Sequence, residues 1–485
     1  MNLNDILKGL DIANITGNMN IDITNIAYDS RKVEENTLFI CIKGFNSDGH
    51  KYIESAIEKG AKAFLIQDDV NIEGYTFIKV EDTRAAMAKV ADNFYNNPSK
   101  ELEVIGVTGT NGKTSITTFL SEILSLNDKK VGLVGTIKIF DGDKTVESSS
   151  TTPESADLQK HFKTMLNNGC DYCAMEVSSH SLVLNRVDET AFKLGIFTNL
   201  TPDHLDFHKD LEDYRNAKEK LFHKTTTANI INIDDNGGAK IYENIKALNT
   251  PCYTYGIDNK ADFMAKDIKI DARGVSYTLV TPTYEEEMFV PVPGKFTVYN
   301  TLAVIAACYM LNIPKDVVKE GLGKTKGVAG RFETITNDKG ISVIVDYAHT
   351  PDALENILNT AKGFAKSNII TVFGCGGDRD TTKRPLMGEI AQRLSDVCIV
   401  TSDNPRTEDP NLIIDDILKG LDKTKENYRV VIDRKEAIKE AIEMAQQDDI
   451  VIIAGKGHEN YQEVKGVKHH FDDCEVVKEI FDTQK

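Results

Sequence analysis

The amino-acid sequence predicts an α/β protein of three domains: a small N-terminal α/β domain, a central parallel-sheet domain and a C-terminal Rossmann-like domain. Three observations carry that expectation. Short apolar strands alternate with helical periodicity along most of the chain, the pattern of sheets flanked by helices. A glycine-rich turn at residues 109–112 sits between a strand and a helix. In the last third, four strands in succession each end in a polar loop. At 485 residues the chain is also too long for one ordinary core, and boundaries at 1–100, 101–330 and 331–485 divide it most naturally.

Composition narrows the class. Apolar residues at 41% and charged residues at 27% are those of a globular protein. A net charge of −18 argues against a nucleic-acid partner, which would need a basic stripe. It leaves room for anionic small substrates, because a few clustered Lys and Arg residues focus a local positive field. The segment Met1–Leu7 lacks the basic and apolar regions of a signal peptide. Runs such as Ile450–Ala454 are too short to cross a bilayer. No membrane insertion and a cytoplasmic location are therefore expected. Of the eight cysteines, Cys170 and Cys173 form a C-x-x-C without a second pair at ligand spacing, so buried thiols are expected rather than zinc. His469 and His470 read as surface residues.

In the first hundred residues, Ile23–Ala27, Thr37–Ile42 and Ala63–Ile66 read as strands. Tyr28-Asp29-Ser30-Arg31 follows the first of them and supplies a hydroxyl and a guanidinium at a loop. Asp48-Gly49-His50 opens a helix with Ile53, Ala56 and Ile57 on one face. A further helix, Arg84–Tyr95, ends in the polar, proline-bearing linker Asn96–Ser99.

The central unit reads as a P-loop ATPase. Strand Val104–Val107 runs into Thr108-Gly109-Thr110-Asn111-Gly112-Lys113-Thr114 and then a helix, Ser115–Leu124. Glycines let backbone N–H groups curl around phosphate, the helix N-terminus adds positive potential, Lys113 reaches the terminal phosphates and Thr114 can ligate Mg²⁺. Val107 stands where the first glycine of a full Walker A motif would be. Thr152 is expected to cap a helix that has Pro153 at its first position and Leu158, Phe162, Met165 and Leu166 on its apolar face. Strand Ala174–Glu176 delivers Glu176, Ser178 and His180, with Glu176 suited to Mg²⁺. Ile196–Asp206 is a third strand with polar groups at its end, where His204 can ligate a metal and Asp206 can orient its ring. Taken alone, Lys218 is a solvated helix lysine. Asn300, at the expected start of helix Thr301–Leu311, either reads an adenine edge or caps the helix.

Gly327–Glu333, with two glycines beside Arg331, reads as a hinge. Beyond it, strands ending at Asp346, Phe373, Thr401 and Ala454 deliver loops at 347–351, 374–380, 402–406 and 455–459, placing one site along a sheet's carboxyl edge. The Gly374 loop lacks G-x-G-x-x-G spacing, which rejects NAD.

These residues together resemble the ATP-dependent Mur ligases. The resemblance rests on Thr108–Thr114, on Glu176 with Ser178 and His180, on Asn199–Asp206, and on the loops at Asp346–His349 and Gly374–Asp380, in family order over nearly the whole chain. Tyr28–Arg31, Asp48–His50 and Asp403-Asn404-Pro405-Arg406 look like those members that add the third residue of the peptidoglycan precursor peptide. The resemblance implies ATP and Mg²⁺ as cofactors, with UDP-N-acetylmuramoyl-L-alanyl-D-glutamate and meso-diaminopimelate as substrates joined through an acyl phosphate. It also implies roles residue by residue. Gly109, Thr110, Asn111, Gly112, Lys113, Thr114, Asn300, Arg331 and Asp346 would bind ATP. Thr114, Glu176, His204 and a carbamylated Lys218 would hold the metal and, with Lys113, form the catalytic set. Ser30, Thr151, Thr152, Ser178 and Arg186 would contact the nucleotide-sugar. Arg379, Asp403, Asn404, Pro405, Arg406, Gly455 and Glu459 would bind diaminopimelate.

One departure is Leu184, where relatives commonly carry Gln; Asn185 is the neighbouring amide that could compensate. The distal carboxylate of diaminopimelate suits a bidentate Arg406, and lysine would leave that guanidinium unpaired. A monomer is expected. The alternatives are a lysine-adding ligase of the same family, a folylpolyglutamate synthase, which Tyr28–Arg31 disfavours, and a nucleotide-binding regulator without ligase chemistry.

Overall fold

The computed structural model describes residues 1–44, 47–148, 150–203, 207–271, 273–337 and 340–483. Among these residues the strands form a five-stranded, an eleven-stranded and a six-stranded sheet, followed by a small hairpin. Helices cover the sheets as the alternating pattern predicts.

The N-terminal sheet has the strand order Asn14–Thr16, Thr76–Lys79, Ala61–Ile66, Thr37–Ile40, Asn25–Ala27. Its first pairing is antiparallel and the rest are parallel. Leu38, Phe39, Ile40, Phe64 and Leu65 are fully buried, so both faces of this sheet are covered and its strands read as continuous apolar runs.

The eleven-stranded sheet has Glu103–Thr108 near its middle, between Phe192–Phe197 and Tyr172–Glu176. From Phe263–Asp271 across to Val131–Val134 every pairing is parallel. Antiparallel strands then extend both edges: Gly274–Val280 with Glu285–Val290 on one side, and Lys138–Phe140 with Thr145–Glu147 on the other. Helix Lys295–Met310 is apolar on all sides and lies in the core formed with helix Lys113–Leu126, where each fully buried aliphatic side chain contributes about 1.5–3 kcal/mol.

Two local expectations change here. Helix Ser155–Asn167 begins after Glu154, so Thr152 is not its cap. The Thr152 hydroxyl is instead committed to the neighbouring strand, donating to Glu176 O at 2.9 Å and accepting from Ser178 N–H at 3.1 Å. Helix Lys295–Met310 starts after Gly294 (φ 113°), which leaves Asn300 more than a turn inside it and rules out the capping role.

The C-terminal sheet runs Glu333–Thr336, Ser342–Asp346, Ile450–Ala454, Ile369–Phe373, Val397–Val400, Tyr428–Val430, with only the first pairing antiparallel. The central placement of Ile450–Ala454 brings the loops after Asp346, Phe373, Val400 and Ala454 to one carboxyl edge, as the four-loop pattern predicts. Among the described residues no helix is long and apolar enough to cross a membrane. Cys170 and Cys173 are buried free thiols, while His469 and His470 are exposed.

Candidate active site

The loop after strand Glu103–Thr108 is shaped by two glycines at which any side chain would be strained. Gly109 has φ 145°, and a Cβ there would lie 1.8 Å from Thr198 Oγ1. Gly112 has φ 89°, and its Cβ would lie 2.5 Å from Asn300 Oδ1. The adjoining strand pins the loop in place. Asn111 N–H donates to Asn199 Oδ1 at 2.9 Å, Thr110 N–H to Asn199 O at 2.9 Å, and Thr198 Oγ1 to Asn111 O at 2.6 Å. The result is a preformed anion cradle at the start of helix Lys113–Leu126.

Three groups converge behind it. Lys113 Nζ donates to Gly109 O at 3.0 Å and Thr110 O at 2.8 Å. Burial lowers its pKa, with the Glu176 and Asp203 carboxylates opposing. Glu176, 1% exposed, accepts from Thr114 Oγ1 at 3.0 Å, from Thr136 N–H at 2.9 Å and from Thr136 Oγ1 at 3.1 Å. Thr136 escapes sequence reasoning, because nothing local marks a threonine forty residues before the carboxylate it holds. Lys218 is the larger surprise against its bare sequence context: it is 1% exposed. Its amine donates to Gly109 O at 2.9 Å and lies 4.2 Å from the Tyr214 ring centroid. Burial, then the Lys113 charge, pushes its pKa well below the ordinary lysine value. His204 and Asp206 lie outside the described residues.

A cavity of about 840 Å³ opens between the phosphate loop and the C-terminal unit, large enough for a nucleotide. Lys113, Glu176, Asn300, Arg331, Asp346 and His349 line it. The Arg331 guanidinium lies 4.6 Å from the Tyr347 ring centroid, and its Nε is buried without a hydrogen-bond partner among the described residues. Asp346 accepts from Phe332 N–H at 2.7 Å; burial raises its pKa while Arg331 opposes the rise. Asn111 Nδ2 donates to Asp352 Oδ2 at 3.3 Å, which joins the phosphate loop directly to helix Pro351–Lys362.

Thr151, Thr152, Ser178 and Arg186 also come together. Thr151 and Thr136 hydroxyls are 3.1 Å apart, and Arg186 donates to Thr152 O at 3.0 Å. Glu154 receives Arg186 at 2.8 Å and Arg84 of the N-terminal unit at 3.0 Å, so one carboxylate clasps the two units. Ser30 lies in the short turn Ser30–Lys32 across this junction, and its neighbour Tyr28 donates to Asp157. Leu184 ends helix Ser179–Val183. Asn185 sits in the left-handed region with its amide 3.4 Å from Asp82 Oδ2, directed at the N-terminal unit.

At the carboxyl edge of the last sheet, Arg406 adopts φ 50° and its guanidinium donates to Gly377 O at 2.8 Å, with Glu463 Oε2 at 3.6 Å. Gly455 has φ 120°, and a Cβ there would lie 2.6 Å from Asp403 Oδ2. Asn404 and Glu459 are joined by a 2.8 Å hydrogen bond. Pro405 is buried beside them, and Arg379 is exposed, donating to Asp378 O at 3.1 Å. Lys456, which no sequence signal singles out, is fully buried here and donates to Asn404 Oδ1, Glu459 Oε2 and Tyr461 O.

Sequence models of one family match all three units: "Mur ligase family, catalytic domain" at 22–95, "Mur ligase middle domain" at 107–308 and "Mur ligase, glutamate ligase domain" at 330–457. The chain is 74% identical over 479 residues to the UDP-N-acetylmuramoyl-L-alanyl-D-glutamate–2,6-diaminopimelate ligase of Clostridioides difficile (strain 630), covering 99% of each. It is 52% identical to the enzyme of the same name from Alkaliphilus metalliredigens, covering 99% of this chain and 97% of that one. A solved structure of a ligase of that name superposes with a TM-score of 0.73 at 31% identity, over 100% of this chain and 99% of the other. The chain therefore belongs to the Mur ligase family of ATP-dependent, amide-bond-forming enzymes.

Proposed function

We propose that this ligase joins meso-diaminopimelate to UDP-N-acetylmuramoyl-L-alanyl-D-glutamate in peptidoglycan precursor synthesis, acting as a cytoplasmic monomer. The names of the similar enzymes support the reaction. The observation that carries it for this chain is the gathering at one sheet edge of Arg406, beside Glu463, with Asn404 bonded to Glu459 and Asp403 against Gly455: an Arg for a carboxylate and acids for an ammonium, where the strand ending at Asp346 pairs with the one ending at Ala454.

An oxygen of the D-glutamyl γ-carboxylate attacks the γ-phosphorus of ATP, and ADP leaves, giving an acyl phosphate. The amine of diaminopimelate then attacks the acyl carbon. Phosphate departs with the C–O bonding pair, the amine loses a proton, and the amide forms. In the first step two anions approach each other, so the site must concentrate positive charge. Lys113 supplies it at the phosphate loop, and Arg331 borders the same cavity. Asn300, its amide beside Gly112, and Asp346 would hold the nucleotide. Ser30, Thr151, Thr152, Ser178 and Arg186 would hold the sugar-peptide at the junction of the first two units. Arg379, Asp403, Asn404, Pro405, Arg406, Gly455 and Glu459 would receive the amino acid.

The donor set fits Mg²⁺. The Thr114 hydroxyl and the Glu176 carboxylate, 3.0 Å apart beside the loop, are the hard oxygen donors that this ion selects. His204 and Lys218 would complete the site. The ion, when bound, neutralises phosphate charge. Lys218 as an amine is not a ligand for such an ion. Its depressed pKa favours the neutral form, which can add to CO₂ and release a proton, leaving a carbamate anion in place of the buried neutral amine.

The test is a product assay: ATP, the muramoyl dipeptide and diaminopimelate together should yield ADP, phosphate and the tripeptide by mass spectrometry, with omission of any one abolishing phosphate release. ATP hydrolysis indifferent to both other substrates would instead mark a nucleotide-binding regulator.

A further inference from the structure

The amino-acid site contains a charge that is not itself presented to a ligand. Lys456 is 0% exposed, and its ammonium has three acceptors: Asn404 Oδ1 at 3.2 Å, Glu459 Oε2 at 3.3 Å and the carbonyl of Tyr461. Three acceptors use all three of its protons. A buried ammonium so saturated serves the groups it touches, because burying it costs free energy that only such pairing offsets.

Those groups have only one compatible arrangement. Asn404 Oδ1 also accepts from Glu463 N–H at 2.9 Å, while Asn404 Nδ2 donates to Glu459 Oε2 at 2.8 Å. Turning the amide over would set its NH₂ against both the Lys456 ammonium and the Glu463 N–H, and its oxygen against the Glu459 carboxylate. The observed orientation leaves the second Nδ2 hydrogen of Asn404 to donate, and the second oxygen of Glu459 to accept. The Asp403 carbonyl is held as well, by Gln462 Nε2 at 2.7 Å. A zwitterionic amino-acid end needs such a pair, a donor for its carboxylate and an acceptor for its ammonium.

We propose that Lys456 is a positioning residue for the incoming diamino acid, its buried ammonium holding the Asn404 amide and the Glu459 carboxylate in the arrangement that recognises a zwitterion. The inference rests on the amino-acid site lying at these loops. Lys456 touches no substrate and acts through Asn404 and Glu459, so its effect belongs to the binding of one substrate alone.

The experiment measures KM for meso-diaminopimelate, ATP and the muramoyl dipeptide in Lys456→Met, Lys456→Gln, Asn404→Ala, Arg406→Ala and the Lys456→Met/Asn404→Ala double variant, with melting temperatures alongside. Lys456→Met should raise the diaminopimelate KM about tenfold or more, the scale of a lost charge-assisted hydrogen bond, and leave the other two KM values unchanged. Lys456→Gln, which retains an N–H for Asn404 Oδ1, should lose less, and it decides by the same criteria if Lys456→Met does not fold. In the Asn404→Ala background, Lys456→Met should add little. An unmoved diaminopimelate KM, a parallel rise of all three KM values with falling stability, or fully additive effects would overturn the proposal. If Asn404→Ala and Arg406→Ala themselves leave the diaminopimelate KM unmoved, the location of the site is wrong. If they raise it and the Lys456 variants do not, only the role of Lys456 is wrong.

Discussion

Lys113 and Lys218 donate to the same oxygen, the carbonyl of Gly109, at 3.0 and 2.9 Å. A carbonyl has two lone pairs, so the two amines saturate it. They lie no more than about 6 Å apart, a separation at which the Lys113 charge disfavours a second charge on Lys218. Lys218, at 1% exposure against a half-buried Lys113, is shifted further. The unfolded chain binds the Lys218 proton up to the ordinary lysine pKa of about 10.4, and the folded chain releases it well below that. Folding therefore costs free energy at neutral pH, and stability rises with pH through that window. Lys218→Met is expected to melt higher than the parent protein at pH 7 in bicarbonate-depleted buffer, the gap closing toward pH 10, while amide formation falls at least about a hundredfold. Calorimetry across pH checks the first part; a variant that melts lower at neutral pH contradicts it. In Lys218→Ala, added short carboxylic acids should partly restore activity, and full activity without them would end the carbamate reading.

Gly112 tests the phosphate cradle without touching any charge. At φ 89°, with Asn300 Oδ1 2.5 Å from the position of a Cβ, alanine must either distort the loop or displace the Asn300 amide. Gly112→Ala is expected to weaken binding of a non-hydrolysable ATP analogue at least about tenfold, while the left-handed backbone costs only about 1–2 kcal/mol of stability. Titration calorimetry reads the first effect and urea unfolding the second. Unchanged nucleotide affinity would show that the loop conformation does not matter to binding.

Much of this architecture is legible in the sequence, for identifiable reasons. Gly109–Thr114 announces itself because the determinants of a phosphate cradle are contiguous. The four loops of the C-terminal sheet are visible because each follows a run of buried strand residues. Thr152 is misread as a cap, and capping is one of the two roles left open for Asn300, because a polar residue before an apolar run has the local signature of a helix start. What decides their role is a partner far away in sequence: Gly112 for Asn300, and Glu176 with Ser178 for Thr152. The antiparallel strands Gly274–Val280 and Glu285–Val290 extend an edge that a pattern of parallel units does not imply. Thr136 and Lys456 are silent because their meaning lies wholly in what they touch, and the burial of Lys218 emerges only once its helix packs against the phosphate loop.

Arg434 and Asp473 form a bidentate pair with no exposure on either side chain, both bonds at 2.8 Å, and Arg434 also donates to Ala454 O at 3.1 Å, one residue before Gly455. Removing the acid leaves a guanidinium buried and uncompensated. Asp473→Ala is expected to destabilise the C-terminal unit by about 3–5 kcal/mol, seen as an earlier urea transition. A loss within about 0.5 kcal/mol, the range of surface substitutions, would contradict it.

His458 makes the C-terminal unit acid-sensitive. Burial, then the nearby Arg331 charge, holds its pKa at about 4, against about 6.5 for an ordinary imidazole. Between those values the unfolded chain carries the proton and the folded chain does not. Its stability contribution is thus complete above about pH 6.5 and declines as pH falls toward 4. His458→Gln should flatten the fall of melting temperature between pH 6.5 and 4.5; parallel curves for parent and variant would exclude His458 as the source.

On the proposed reading, Arg406 with the loops around it selects a diamino acid bearing a second carboxylate. The most direct test measures kcat/KM for amide formation with meso-diaminopimelate and with L-lysine under identical ATP and muramoyl dipeptide concentrations. Diaminopimelate should be preferred by about 10⁴-fold or more, because lysine offers no second carboxylate to the Arg406 guanidinium, which otherwise has only Gly377 O and Glu463 beside it, and Arg406→Ala should erase most of that preference. Equal rates with the two amino acids, or a preference that survives Arg406→Ala intact, would contradict it.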